Sequence, residues 1–380
     1  MRFSVGLITV LMSACGALGG PFDAGSADAS ASGDAGRAFD EGQVMPGDGG
    51  SNKTRIDAGI VLVDAGTVPT FGSGGFRSTS MALSVTRGDN VLGISGRAGE
   101  VYAVTEHDLL RSTGTDPFTV VRLPTVTNGS VLVDVHVMAD GSVFVLGKRE
   151  VFTCRNGCAA GMAAFTVFTL PQSAYSLCGA ASGHVSVVTD DGTVYSRAML
   201  WAYDGTSWAQ VSNNLGVQYP AKCAVTNAGE VVVAAMGGIA FSLNGATTVA
   251  SPELYPLSKN EAEHHNWYSV ATLGAEVWVG GSYLRSLHRD PSGTWSFFND
   301  SVPVSTIKDV IAVSPTEVYS GGTNDRAGIA IHRFDGTKWV DGPDLVTLTN
   351  VSALYSPSPN VLYVGGSTSE GDPAIERLTR

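Results

Sequence analysis

Charge is scarce in this chain. Only 15% of its 380 residues are Asp, Glu, Lys or Arg, and 23 basic against 35 acidic residues leave a formal net charge of −12. So little positive charge removes the electrostatic term on which nucleic-acid binding depends, and any attraction to an anionic membrane surface. Neither partner is expected. Stretches rich in Glu, Lys, Leu and Ala at helical spacing are also missing, which excludes a helical bundle. Beyond the N-terminus no apolar run approaches the roughly 18 residues a membrane span requires. The chain carries no HExxH, GxSxG or P-loop pattern, so no catalytic residue and no cofactor is assigned.

What the chain does have is 47 glycines and a 43% hydrophobic composition. Valine and threonine recur throughout. Few charges, many turn formers and many β-branched residues describe an all-β protein large enough to bury a core.

The first residues form a targeting segment. Arg2 precedes a short apolar run, small residues follow, and Met12-Ser13-Ala14-Cys15 closes it. This is the charged, apolar and cleavage order of a signal peptide. The last four residues resemble a bacterial lipobox, which implies that Cys15 carries lipid and that the chain is exported to the outer membrane, on its periplasmic side or at the cell surface. Cleavage after Gly16 and ordinary secretion is the alternative.

Residues 16–70 differ from everything after them. Asp-Ala-Gly begins at Asp23, Asp34, Asp57 and Asp64, and Ser, Gly and Ala fill most of the rest. A segment with so few large apolar side chains cannot offset the entropy of ordering itself, so a flexible acidic linker is expected. Its r.m.s. reach is about 40 Å. Within it, Ile60-Val61-Leu62-Val63 offers a short strand.

From residue 71 to 380 one unit repeats: a small turn, then an apolar strand anchored at Val101, Val143, Val185, Val231, Val277, Val318 and Val361. The successive spacings are 42, 42, 46, 46, 41 and 43 residues. Strand units at a fixed period in the forties are propeller blades. The anchor strands are apolar at consecutive positions, as they must be when both faces of a sheet are covered. The expectation is an all-β, seven-bladed β-propeller of four-stranded antiparallel blades. The last repeat offers only three strands, so residues 78–86 are expected to supply the fourth. Asp204-Gly205-Thr206-Ser207-Trp208 and Asp335-Gly336-Thr337-Lys338-Trp339 match as hairpins whose Trp packs between blades. With Gly280-Gly281, Gly321-Gly322 and Gly365-Gly366 ending second strands, the repeats resemble kelch-type blades and those of bacterial surface lipoproteins. Kelch-like propellers host enzymes and binding platforms alike, so the resemblance leaves function open.

Setting Cys15 aside leaves an even four cysteines. An exported chain meets an oxidising compartment, so the pairs Cys154–Cys158 and Cys178–Cys223 are expected as disulfides, with a four-cysteine zinc site as the rival. No metal site is assigned. His264 and His265 lie in the longest insertion, residues 252–266. Asp190-Asp191-Gly192 reads as a turn rather than a calcium loop.

In a propeller, the loops after second strands share a face with the links between blades. Here those loops hold the polar side chains His107, Arg149, Asp191, Asp325, Arg326 and Asp372, joined by His264 and His265. Loops on a rigid scaffold concentrate recognition. The expected function is that of a membrane-anchored, extracytoplasmic binding or scaffold protein, monomeric, recognising a protein or glycan through this face. The alternative is a secreted carbohydrate-active enzyme, hydrolase or lyase, on the same fold. The two differ in whether carboxylates and histidine converge free at the central channel.

Overall fold

The computed structural model describes residues 61–62, 75–85, 89–124, 131–180, 183–236, 238–249, 266–282, 285–299, 305–324 and 331–380. The signal segment with Cys15, nearly all of the acidic linker, and His264, His265, Asp325 and Arg326 lie outside them. Val61–Leu62, inside the linker, pairs antiparallel with Ser84–Val85.

Residues 93–121, 132–169, 174–212, 218–249 and 267–299 each form one four-stranded antiparallel sheet in simple up-and-down order. Residues 305–379 form an eight-stranded sheet with Arg77–Met81. A single pair, Thr323 with Asn350, joins its two halves, and each half repeats the same four-strand order. The first strands of successive sheets contact one another in sequence, and the last, Leu348–Ser358, contacts the first, Gly93–Arg97. The sheets are therefore blades set around an axis, the architecture of a β-propeller.

Closure follows the expectation from the missing strand. Arg77–Met81, ahead of the first blade, pairs antiparallel with the final strand, Pro373–Thr379, in the register Arg77 with Thr379 and Met81 with Ile375. This supplies the fourth strand of the last blade and removes an exposed edge.

The core is a series of wedges between neighbouring blades. Phe144, Leu146 and Val151 of one sheet pack on Leu177, Val185 and Val187 of the next. Across the closure, Val91, Ile94 and Val101 meet Ala353, Tyr363 and Ile375. This explains the consecutive apolar residues: the strand Val143–Gly147 is buried at every position. In the last blade the buried anchor is Leu362, while Val361 is partly exposed, a shift of one residue from the sequence-based register.

The hairpin tryptophans pack as expected. Trp208 sits against Phe144 and Phe168 of the preceding blade, and Trp339 donates its indole N–H to Ser286 at 2.8 Å. Gly205 and Gly336 have φ of 98° and 101° in their hairpin turns, a region open to glycine. Both expected disulfides are present, Cys154–Cys158 and Cys178–Cys223, each with Cα atoms 5.7 Å apart. They replace the zinc alternative and fit an oxidising, extracytoplasmic setting. Among the described residues no helix is long and apolar enough to cross a membrane.

Candidate functional site

The axis is built from first strands, all but one of which bulge at an equivalent place among the described residues; Gly93–Arg97 pairs without a shift. Register shifts fall between Leu132 and Asp134, Ala174 and Ser176, Pro220 and Lys222, Trp267 and Ser269, Ile307 and Asp309, and Val351 and Ala353. A bulge re-aims the side chain that follows it. The residues following these bulges include Asp134, Lys222 and Asp309, which line a channel of about 320 Å³ together with His136 and the Cys178–Cys223 bridge.

These polar groups are spent on neighbouring backbone. Asp134 Oδ2 accepts from Leu177 N at 3.2 Å and Ser176 Oγ at 3.3 Å, both on the next blade. Ser176 Oγ accepts from Cys223 N at 3.1 Å, one blade further. Asp309 Oδ2 accepts from Leu354 N at 2.7 Å, and its Oδ1 accepts from Lys222 Nζ at 3.3 Å. Thr272 and Ser95 make similar links to Val225 O and from Val137 N. A buried N–H or C=O without a partner costs about 1–3 kcal/mol, so these contacts stitch first strands together where the blades converge.

Electrostatics agree with a structural channel. Burial raises the Asp134 pKa, and Lys222 with the Leu177 and Val135 amides only partly pulls it back. Burial alone would depress the Lys222 ammonium, yet the Asp309 and Asp134 carboxylates outweigh it and hold its pKa above the usual value. His136 keeps some accessible surface toward the channel but is surrounded by protein, and desolvation lowers its pKa to about 4. It is neutral at physiological pH.

Sequence reasoning passed over all four of these residues. A signal was available: Asp134, Lys222 and Asp309 are charges inside first strands, recurring at every second blade.

The loops after second strands do share a face with the links between blades. Leu132 N donates to Glu106 O, Ala174 N to Lys148 O, and Val91 N to Gly366 O. His107 and Arg149 are exposed here, and Asp191 and Asp372 are partly exposed. Asp191 is largely committed to its own loop: Oδ1 accepts from Thr193 N, Thr193 Oγ1 and Arg197 N, and the Thr193 hydroxyl bond leads the causes that lower its pKa. Asp190 is tied to Tyr175 and Gly192. The Asp190-Asp191 segment is therefore a turn, as expected.

Beside it lies a patch that sequence reasoning missed. Val194 is 82% exposed, Tyr195 57%, Tyr219 41% and Met236 38%. Tyr219 donates its hydroxyl to Val194 O at 2.8 Å, and its neighbour Gln218 pairs with Met236. Tyr219 holds φ at 49°, a conformation that strains a bulky residue and persists only where surroundings enforce it.

No known protein-family pattern matches this chain, and no curated protein matches its sequence. Its fold, however, is shared widely. It is similar to virginiamycin B lyase from Staphylococcus aureus at 13% identity and a TM-score of 0.62, over 80% of this chain and 99% of that one. It is similar to YCF48 bound to a D1 peptide at 14% identity and a TM-score of 0.59, over 83% of this chain and 100% of that one. The WD40 propeller of Doa1 matches at 10% identity and a TM-score of 0.58, over 79% and 95%. At such identities the likeness establishes the β-propeller and nothing finer. These relatives include an enzyme and binding scaffolds, so they leave the activity undecided.

Proposed function

We propose that this chain is an exported, lipid-anchored binding module: a seven-bladed propeller, kelch-like in its repeats, held from Cys15 by the acidic linker of residues 16–70. Its partner is a protein, bound on the face of second-strand loops. The observation that carries this reading is the exposed patch of Val194, Tyr195, Tyr219 and Met236 on that face. Exposed apolar clusters rich in tyrosine are the anchoring chemistry of protein interfaces. His107, Arg149 and Asp372 lie in second-strand loops of the same face and are at least partly exposed, and the reading extends to His264, His265, Asp325 and Arg326 by their place in the sequence. The carbohydrate-active alternative needs a free pair of carboxylates. Asp134 and Asp309 instead accept hydrogen bonds from neighbouring strands, which favours the binding reading.

The test uses the full exported chain. Protein captured from envelope extract is compared across Tyr195→Ser, Arg149→Ala and, on an opposite-face turn, Asp140→Ala, beside a glycan array. The reading expects one protein retained by the parent and by Asp140→Ala and lost from the other two. Equal loss from both faces, or retention of a glycan alone, overturns it. For the anchor, Cys15→Ser is expected to move the chain into soluble fractions.

A further inference from the structure

Asp89 lies in the link between the closing strand Arg77–Met81 and the first strand of the first blade, Gly93–Arg97. It is 4% exposed. Its Oδ2 accepts the Thr105 hydroxyl at 3.1 Å. Its Oδ1 faces His107 Nε2 at 3.7 Å. A carboxylate held at so little exposure is favoured by a donor or cation beside it. One ligand atom from each of Asp89, Glu106 and His107 lies within 4.8 Å of the others. Neither carboxylate has a Lys or Arg partner among the described residues.

We propose that Asp89, Glu106 and His107 form a binding site for one divalent transition-metal cation. Two carboxylates and one imidazole suit Zn²⁺ or a neighbour in that series better than Ca²⁺, which prefers oxygen alone. Ligand atoms about 2.0–2.1 Å from a tetrahedral Zn²⁺ lie about 3.4 Å from one another. The Asp89–His107 separation of 3.7 Å is close to that value, and the remaining contraction needs only rotation of Glu106, which is partly exposed. Thr105 is fully buried and fixes the ligand geometry from behind. Its hydroxyl donates to Asp89 and accepts from the backbone N–H groups of His107 and Asp108 at 3.3 and 3.0 Å. Such outer partners orient metal ligands. Three protein ligands leave a fourth position open on the exposed side, where His107 is 56% accessible. The site joins the link after the closing strand to the first blade, so bound metal reinforces the closure. It shares His107 with the proposed protein-binding face but none of the Val194–Met236 patch, and Zn²⁺ binding is read out separately from protein capture.

The test is Zn²⁺ titration of the chelator-stripped full chain by calorimetry, with thermal melting alongside. The site predicts one Zn²⁺ per chain at micromolar Kd and a rise of several degrees in Tm at saturation. His107→Ala, a change at an exposed position that leaves the fold intact, weakens binding at least tenfold and removes the Tm rise. The double change of His264 and His265 to Ala leaves both unaltered. Absence of binding at 100 μM Zn²⁺, binding undiminished in His107→Ala, or binding abolished by the His264/His265 change each overturns the assignment.

Discussion

The Ser78 hydroxyl donates to the carboxylate of Glu376, joining residues 298 positions apart in the chain. Glu376 is fully buried. It also accepts from Val346 N at 2.9 Å, Thr347 N at 2.7 Å and Leu348 N at 2.9 Å. One side chain thus ties the N-terminal closing strand, the final strand and the link entering the last blade.

Replacing Glu376 with Ala leaves three backbone N–H groups and the Ser78 and Thr347 hydroxyls without their acceptor, in a site buried at Ser78 and Leu348 and partly buried at Val346 and Thr347. Each such loss costs about 1–3 kcal/mol, so a total near 4 kcal/mol and a fall in Tm of roughly 10 °C are expected. Deleting residues 76–88 removes the strand itself and is expected to destabilise the whole domain further. Calorimetric melting of both variants checks the pair; an unchanged Tm in either contradicts the clasp.

A second prediction concerns the paired glycines. Gly322 faces the Thr306 carbonyl oxygen so closely that an added methyl group would overlap it, while Gly371, at φ 79°, has open space around it. Gly322→Ala is expected to cost about 3 kcal/mol through forced backbone displacement, and Gly371→Asn about 1 kcal/mol or less, since Asn tolerates that conformation. Urea midpoints of the two variants measure the difference.

Those glycines show how far the sequence could be read. The period, the apolar anchors and the Gly-Gly pairs were legible because each records a local demand: a strand covered on both faces, or a backbone approached too closely for a Cβ. The closing strand was legible by counting strands in the last repeat. The axial groups were not, since Asp134 and Lys222 reach the channel only through a bulge, and a bulge is a property of two paired strands. The patch at Tyr195 and Tyr219 escaped for a related reason. Its members are separated in sequence and meet only because Arg197 and Gln218 bridge adjacent blades.

The disulfides are expected to contribute unequally. Cys178–Cys223 spans 45 residues and joins first strands of adjacent blades, whereas Cys154–Cys158 spans 4. Loop-closure entropy gives about 4 kcal/mol for the long loop and about 2 kcal/mol for the short one. Paired Ser variants at each bridge, melted with and without reductant, should show most of the reductant sensitivity leaving with Cys178 and Cys223. Peptide mass mapping without reduction should return these two pairings and no free thiol among the four.

The last prediction is a pH dependence centred on His136. Its pKa falls from 6.5 to about 4 on folding because burial disfavours the imidazolium. The unfolded chain therefore binds this proton more readily than the folded one. The stability His136 contributes is complete above pH 6.5 and is lost as pH falls toward 4, in total about 3 kcal/mol at 1.36 kcal/mol per pKa unit. Asp134 acts in the opposite sense: burial raises its pKa, so folding favours its protonated form. Asp335, whose pKa hydrogen bonds from Lys338 N and Thr337 lower to about 2, loses its contribution only below about pH 4. The window between pH 6.5 and 4 thus separates His136 from that turn carboxylate. Substituting His136→Asn, similar in size and uncharged throughout, should flatten the fall in unfolding free energy across this window. Denaturant unfolding of parent and variant at half-unit pH steps measures the difference in slope. A parent and variant with parallel profiles would show that His136 is solvated in the native channel and that the channel admits water freely.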